Sequence, residues 1–475
     1  MTADRDPRRP SERRRDPQPL LRRRIASGRG AMEQPNATGD GPLRLDVRFW
    51  VLVVAVGVAG GLFGVALTAV LDAVVHLAYG GTVAGFAAAV QEASWARRLV
   101  VLAVAGLVTG VGWALLRRFA AGRPADLDDA VWTGTGELSF RRSSVSSLLS
   151  MVAVGAGASL GREAGPKLMG AVSGSLLSRW AGTPPEQRRL LVACGAGAGM
   201  AAVYNVPVGG ALIAAEVLLG SITLPVVLPA LACSTVATVA AWVYLPVQAT
   251  YADVPAFPVT ATQVVWALVA GPVVGLLAVA WTRLVGWVSE HRVRGRWAAL
   301  GPLVGFAALG GVAVAFPQLL GNGQDLAEGA FLGTVPLGLA LVLVALKPLV
   351  TALCLGSGAT GGLFTPTLAT GAVLGVVLGS AWELAWPGGP AGGYALVAAA
   401  AFLAAATQAP LSALVLVVEL TRTADSLVVP VALAVAGATV VARYVDGYSI
   451  YSARLPRTAP TADGDEPARR VEGAG

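Results

Sequence analysis

Long apolar runs punctuated by glycine and proline fill most of this 475-residue chain, at roughly 49–77, 99–116, 144–161, 188–219, 223–246, 263–289, 298–320, 330–355, 363–381, 394–420 and 426–443. A helix needs about 20 residues to cross the hydrocarbon core of a bilayer, and most of these runs reach that length. They are continuous in Ala, Leu and Val, without the alternation of a membrane barrel. Charged residues make up 13% of the chain, against about a quarter in ordinary soluble domains. The chain is therefore predicted to be an all-α polytopic membrane protein. Several runs are too long for one crossing or are broken, for instance at Gly161, Pro166, Pro207, Pro366 and Pro410. Broken helices at membrane depth need protein or a watery cavity around the freed backbone groups.

The ends differ in kind. Residues 1–45 carry Arg5, Arg8, Arg9, Arg13 to Arg15, Arg22 to Arg24 and Arg29 among Pro, Asp and Ser, which predicts a disordered tail. No aromatic residue is interleaved, so nucleic acid is not an expected partner. Arginines ahead of the first span place the amino end in the cytoplasm of a multi-pass protein of the cell's inner membrane, and both termini are expected there. No small-residue cleavage site follows the first apolar run, which argues against a signal peptide. Met32 is an alternative start. Residues 456–475 form a second short polar tail with no room for a folded regulatory domain.

Cys194, Cys233 and Cys354 sit singly in apolar runs, and His76 and His291 lie far apart without an acidic partner. Thiolate frameworks, metal sites and bound cofactors are therefore not expected. A membrane-embedded enzyme is the alternative from another class. The shortage of His, Cys and paired carboxylates argues against it, and no enzyme is predicted.

Two segments repeat. Tyr204 to Val217 reads YNVPVGGALIAAEV and Thr407 to Leu420 reads TQAPLSALVLVVEL. Each has an amide residue, a spacer, Pro, an apolar run and an acid nine residues after the Pro: Asn205, Pro207 and Glu216 against Gln408, Pro410 and Glu419. Duplicated membrane proteins with interrupted helices commonly bind substrate where the repeats meet. A shared helix-start pattern accounts for part of the likeness.

The stretch SLGREAGPKLMG, Ser159 to Gly170, puts Arg162, Glu163 and Lys167 inside this apolar background. Gly161, Gly165 and Pro166 bracket Glu163 and let a helix start beside it. A helix amino end is an anion site, and Glu163 is expected to be the anion its own helix end holds until a permeating ion competes. In the competing reading, Glu163 pairs with Arg162 or Lys167. A matching element, GSGATGGLFTPTLATG from Gly356 to Gly371, lies in the second half. Two helix starts converging on one anion bind weakly enough to let it leave.

With these motifs in place, the chain resembles the CLC family of chloride channels and proton/chloride antiporters over roughly 46 to 455. GREAGP resembles one family signature, with Ala164 at its second glycine, and GGLFTP matches another. YNVPVGGALIAAEV and QAPLSALVLVVEL resemble its two interface-helix segments. GYSIYSARL, Gly447 to Leu455, is similar to the stretch carrying the inner-gate tyrosine. The resemblance implies a bacterial-type transmembrane domain at 46–455, built from two inverted-topology repeats of approximately 46–250 and 260–455. It implies a homodimer with a pore for chloride or similar small anions in each subunit. Glu163 would be the gating, proton-linked glutamate. The backbone amides of Ala164, Gly165, Leu363 and Phe364 and the hydroxyl of Tyr451 would line the ion sites.

Three departures accompany the resemblance. Gly122 stands where an ion-coordinating serine is expected, which predicts weak discrimination between chloride and nitrate. The proline of GREAGP is displaced by one residue, to Pro166. Val217 stands where antiporters of the family carry their inner proton-transferring glutamate. Glu216, about 100 degrees round the helix from it, is expected to pair with a basic residue at a helix end. The prediction is channel-like or weakly proton-coupled anion transport, with a proton/chloride antiporter of the same fold as the alternative.

Overall fold

The computed structural model describes residues 45–119, 127–132, 136–422 and 424–454. The first half of the described chain contains α1 (Val47–Tyr79), α2 (Phe86–Glu92), α3 (Trp95–Phe119), α4 (Leu127–Trp132), α5 (Phe140–Gly155), α6 (Ala164–Trp180), α7 (Pro185–Tyr204), α8 (Pro207–Leu212), running on as a π turn over Ile213–Leu218, and α9 (Leu224–Ala241). The second half contains α10 (Ala261–Glu290), α11 (Gly301–Ala315), α12 (Gln324–Phe331), α13 (Leu337–Gly356), α14 (Phe364–Glu383), α15 (Ala391–Thr407), α16 (Pro410–Thr421) and α17 (Ala424–Val445). Among the described residues, seven helices are long and apolar enough to cross a membrane.

Local chemistry sets the boundaries. The Asp46 carboxylate accepts from the Phe49 amide at 2.9 Å and caps α1, and Gly80 ends that helix at φ 77°. Thr260 caps α10 through the Gln263 amide at 3.3 Å. Each expected break is a real interruption. The chain leaves the helix between Gly155 and Ala164 and between Gly356 and Phe364, with Pro166 and Pro366 in the first turns that follow. Pro207 and Pro410 open α8 and α16, where the missing amide costs nothing.

The two halves pack alike. The contacts of α1 with α9, α5 with α6, α6 with α7, α7 with α9 and α3 with α5 recur as α10 with α17, α13 with α14, α14 with α15, α15 with α17 and α11 with α13. The helices cross closely: a Cβ on Gly170 of α6 would fall on the Gly195 carbonyl of α7. Such small-residue crossings substitute for the hydrophobic drive that lipid removes.

The repeated segments match to the backbone angle. Asn205 and Gln408 end α7 and α15 at φ 56° and 58°. The next residues, Val206 and Ala409, adopt φ −128°, ψ 70° and φ −130°, ψ 76°. Their acids then exchange. The Glu216 carboxylate accepts from the Leu411 amide at 3.2 Å, the Ser412 amide at 2.7 Å and the Ser412 hydroxyl at 2.7 Å, at the start of α16. The Glu419 carboxylate accepts from the Val208 and Gly209 amides, at 3.0 and 2.6 Å, at the start of α8. Each acid at one segment's end reaches the other's beginning, so the two segments run antiparallel, as inverted repeats require. The basic partner expected for Glu216 is replaced by a helix amino end, which supplies donors and positive potential without a second buried charge.

Charge-assisted bonds of this kind contribute about 1.5–3 kcal/mol each. Glu216→Ala and Glu419→Ala should therefore each lower the thermal unfolding midpoint in detergent by several degrees, with the Gln variants in between. Midpoints unchanged in both alanine variants would show that the exchange contributes nothing.

Candidate functional site

The backbones that lead into α6 and α14 meet as a short antiparallel bridge. The Gly161 amide donates to the Gly362 carbonyl at 2.6 Å and the Gly362 amide to the Gly161 carbonyl at 3.0 Å. This pairing sets the amino ends of the two helices side by side, one from each half. Glu163 lies beside the bridge and is only 2% exposed. Its Oε1 accepts from the Phe364 amide at 2.8 Å, and its Oε2 accepts from the Tyr204 hydroxyl at 3.3 Å. The Tyr204 hydroxyl is also 2.7 Å from Thr365 Oγ1.

The carboxylate therefore sits on the amino end of α14. The expectation that its own helix end would hold it is corrected by the backbone angles. Glu163 precedes α6 at φ −73° and ψ −20° and makes no side-chain cap. Capping residues usually adopt extended angles that turn the side chain back onto the helix. Helical angles send this one across to the other half.

Glycine makes the seat. A Cβ on Gly161 or on Gly362 would fall on the Glu163 carboxyl group. Around the seat, the Arg162 guanidinium lies 4.8 Å from the centre of the Tyr204 ring, and the Lys167 ammonium lies 4.8 Å from the centre of the Tyr451 ring. Tyr204 and Phe364 pack ring to ring at 5.8 Å.

The sequence-expected residues divide into groups. Glu163 and Phe364 are in direct contact, and Leu363 immediately precedes α14. Ala164 and Gly165 open α6, with the Gly165 carbonyl accepting from Ser147 Oγ at 3.3 Å. Buried Tyr451 reaches this region through Lys167. Val217 lies in the π turn, partly buried against the apolar core. Gly122 lies outside the described residues. Tyr204 and Thr365 belong to the site although neither stood out as a site residue. Their only signal is a hydroxyl within each motif. Among the described residues, no group of three or more His, Cys, Asp or Glu is placed to hold a metal ion.

A carboxylate seated on a helix amino end where two membrane repeats meet belongs to the class of membrane anion transport proteins. Residues 101–443 match the family model described as voltage gated chloride channel. The chain is 35% identical over 390 residues to a putative chloride channel protein ClcB-like of Ralstonia nicotianae, covering 78% of this chain and 89% of that protein. It is 29% identical over 433 residues to the H(+)/Cl(-) exchange transporter ClcA of Citrobacter koseri, covering 87% and 89% of the two chains. The solved structure of a slow cyanobacterial Cl-/H+ antiporter superposes with a TM-score of 0.74 at 21% identity, covering 86% of this chain and 97% of that one. A CLC-type fluoride/proton antiporter gives 0.69 at 20%, with the same coverage. The chain belongs to the voltage gated chloride channel family, the CLC proteins.

Gly362→Ala should expel the Glu163 carboxylate from the Phe364 amide. A structure of that variant with the 2.8 Å hydrogen bond intact would show that the seat does not depend on glycine.

Proposed function

We propose that this chain moves chloride or a similar small monovalent anion across the cell's inner membrane, through a pore in each subunit of a homodimer, with Glu163 as the gate. The observation that carries this is the Glu163 carboxylate on the Phe364 amide. It is a tethered anion in a seat built from helix amino ends, and such seats take anions generally. Protonation or displacement of the carboxylate frees the seat. The amides of Ala164, Gly165, Leu363 and Phe364, the Tyr451 hydroxyl and the backbone at Gly122 are the proposed ligands of the passing ion. The arginine-rich amino-terminal segment supports cytoplasmic termini. The largely apolar segments α8, α9, α16 and α17, exposing Val208, Leu228, Leu411 and Val429, supply the faces for the subunit contact. Static light scattering should report a dimer in detergent, and a monomer at micromolar protein would refute that assembly.

Proton coupling is proposed to be weak or absent. A proton moving through the membrane interior needs titratable groups or ordered water, because an isolated charge there costs at least a few kcal/mol. Val217 carries no titratable group, and both oxygens of Glu216 are taken by α16. The second reading is a proton/chloride antiporter, supported by relatives named exchange transporters and by the antiporter structures of the same fold.

One liposome experiment separates them: chloride efflux with simultaneous recording of external pH. The expected result is chloride movement with little uphill proton movement. Glu163→Gln should transport without pH dependence. Proton pumping at a fixed ratio to chloride would establish the antiporter, and pH dependence surviving in Glu163→Gln would remove Glu163 from the gate.

A further inference from the structure

We propose that Tyr204 is a further anion ligand, whose hydroxyl passes from the Glu163 carboxylate to the permeating anion when the carboxylate leaves. This rests on Glu163 being the gate.

The hydrogen-bond directions follow from chemistry. An ionised carboxylate only accepts, so the single phenolic proton of Tyr204 points at Oε2. Thr365 Oγ1, at 2.7 Å, then donates to the phenolic oxygen. The chain Thr365 to Tyr204 to Glu163 therefore runs one way and ends on the seat. Together with the Phe364 amide it aims two donors at one small volume, and the two carboxylate oxygens occupy the positions these donors favour. When the carboxylate leaves, both donors stay behind in a buried place. The amide is then without an acceptor and the phenol has only Thr365 Oγ1 to turn to; an unmet buried donor is costly, and an anion entering the seat satisfies both.

The ring is fixed for this role. It is 2% exposed, packs on Phe364 and lies beneath the Arg162 guanidinium. A cation over a phenol ring draws electron density from it, which strengthens the hydroxyl as a donor. Repeat architecture does not account for the arrangement. At the equivalent place in the second half, Thr407 donates to the Leu403 carbonyl of its own helix at 2.8 Å. Only the first repeat sends a side-chain hydroxyl into the seat from this position. An oriented O–H compensates a small, strongly hydrated anion more than a large diffuse one, so Tyr204 is a residue that favours chloride over thiocyanate.

The ionisable groups facing the carboxylate are Tyr204 from α7, Lys167 on α6 and the adjacent Arg162, which Asp325 of α12 faces in turn.

The test uses the full chain in detergent and in liposomes. Chloride titration calorimetry compares Glu163→Gln with Glu163→Gln/Tyr204→Phe, where no carboxylate charge competes. Kd should rise by roughly 3- to 10-fold, the ordinary worth of one hydrogen bond. Glu163→Gln/Thr365→Val keeps the phenol but releases its orientation, and its Kd should rise about 2-fold. In liposomes, Tyr204→Phe alone should lower the chloride-over-thiocyanate flux ratio, because the oriented O–H favours the smaller anion. A merely structural tyrosine would lower thermal stability and leave Kd and that ratio where they were. Equal chloride affinity with and without the phenol overturns the inference and leaves Glu163 as the gate. Wild-type pH dependence in Glu163→Gln removes the gate, and this inference with it.

Discussion

Two backbone hydrogen bonds between Gly161 and Gly362 bring the amino ends of α6 and α14 to one place, and the chemistry of the site depends on that meeting. Neither half could build it alone. Each approach ends in an unwound segment whose amide groups find no helical partner, and membrane interiors punish such groups heavily. Pairing the two segments satisfies one amide and one carbonyl from each. The first-turn amides that remain face a common volume, and a side chain from one half closes on an amide of the other.

The same exchange settles three carboxylates in an apolar fold. Glu163 and Glu216, from the first repeat, are held by the amino ends of α14 and α16. Glu419, from the second, is held by the amino end of α8. Glu216 and Glu419 are met by amides in place of a countercharge, whose own desolvation would have to be met, whereas buried Lys167 lies near Glu163. The three are not held equally. Glu216 and Glu419 each bind two consecutive amides, with both oxygens engaged. Glu163 has one amide and one longer bond to a phenol. Two of the carboxylates fasten the repeats together through paired amides, and the third reaches across through a single one.

What the sequence showed was the local part. The breaks at Gly161, Pro166, Pro207, Pro366 and Pro410 were legible because proline and glycine act on the backbone beside them. The repeated amide, proline and acid spacing was legible because duplication preserves it. The partners of the acids were not. Glu163 and Phe364 are 201 residues apart, and Glu216 and Ser412 are 196 apart. Only the fold brings them together. The direction of the Glu163 side chain turned on helical angles before α6, which no residue in GREAGP announces. Tyr204 is the first residue of a repeat, yet its contact with the seat depends on where α7 ends relative to α14.

Two repeats supply two helix amino ends, but the sequence supplies one carboxylate. Counting back from Pro166 and Pro366, the residue before α6 is Glu163 and the residue before α14 is Leu363. A leucine there leaves the second half with no tethered anion of its own, so α14 borrows the first half's. The frame around this pair is stiff. Thr351 of α13 is 2.8 Å from Ser159 Oγ. One turn earlier, buried Lys347 donates to the Leu319 and Gly321 carbonyls at 3.1 and 2.9 Å, and the Gly321 amide binds the Gly157 carbonyl. The second half thus grips the loop that leads to Glu163 at both ends of its approach. In the proposed gate, rotating one side chain breaks two hydrogen bonds, whereas shifting a helix would break the bridge and this whole grip. The lower-cost opening is therefore a side-chain movement within a fixed backbone, and the asymmetry of Glu163 against Leu363 is what makes a single carboxylate sufficient for it.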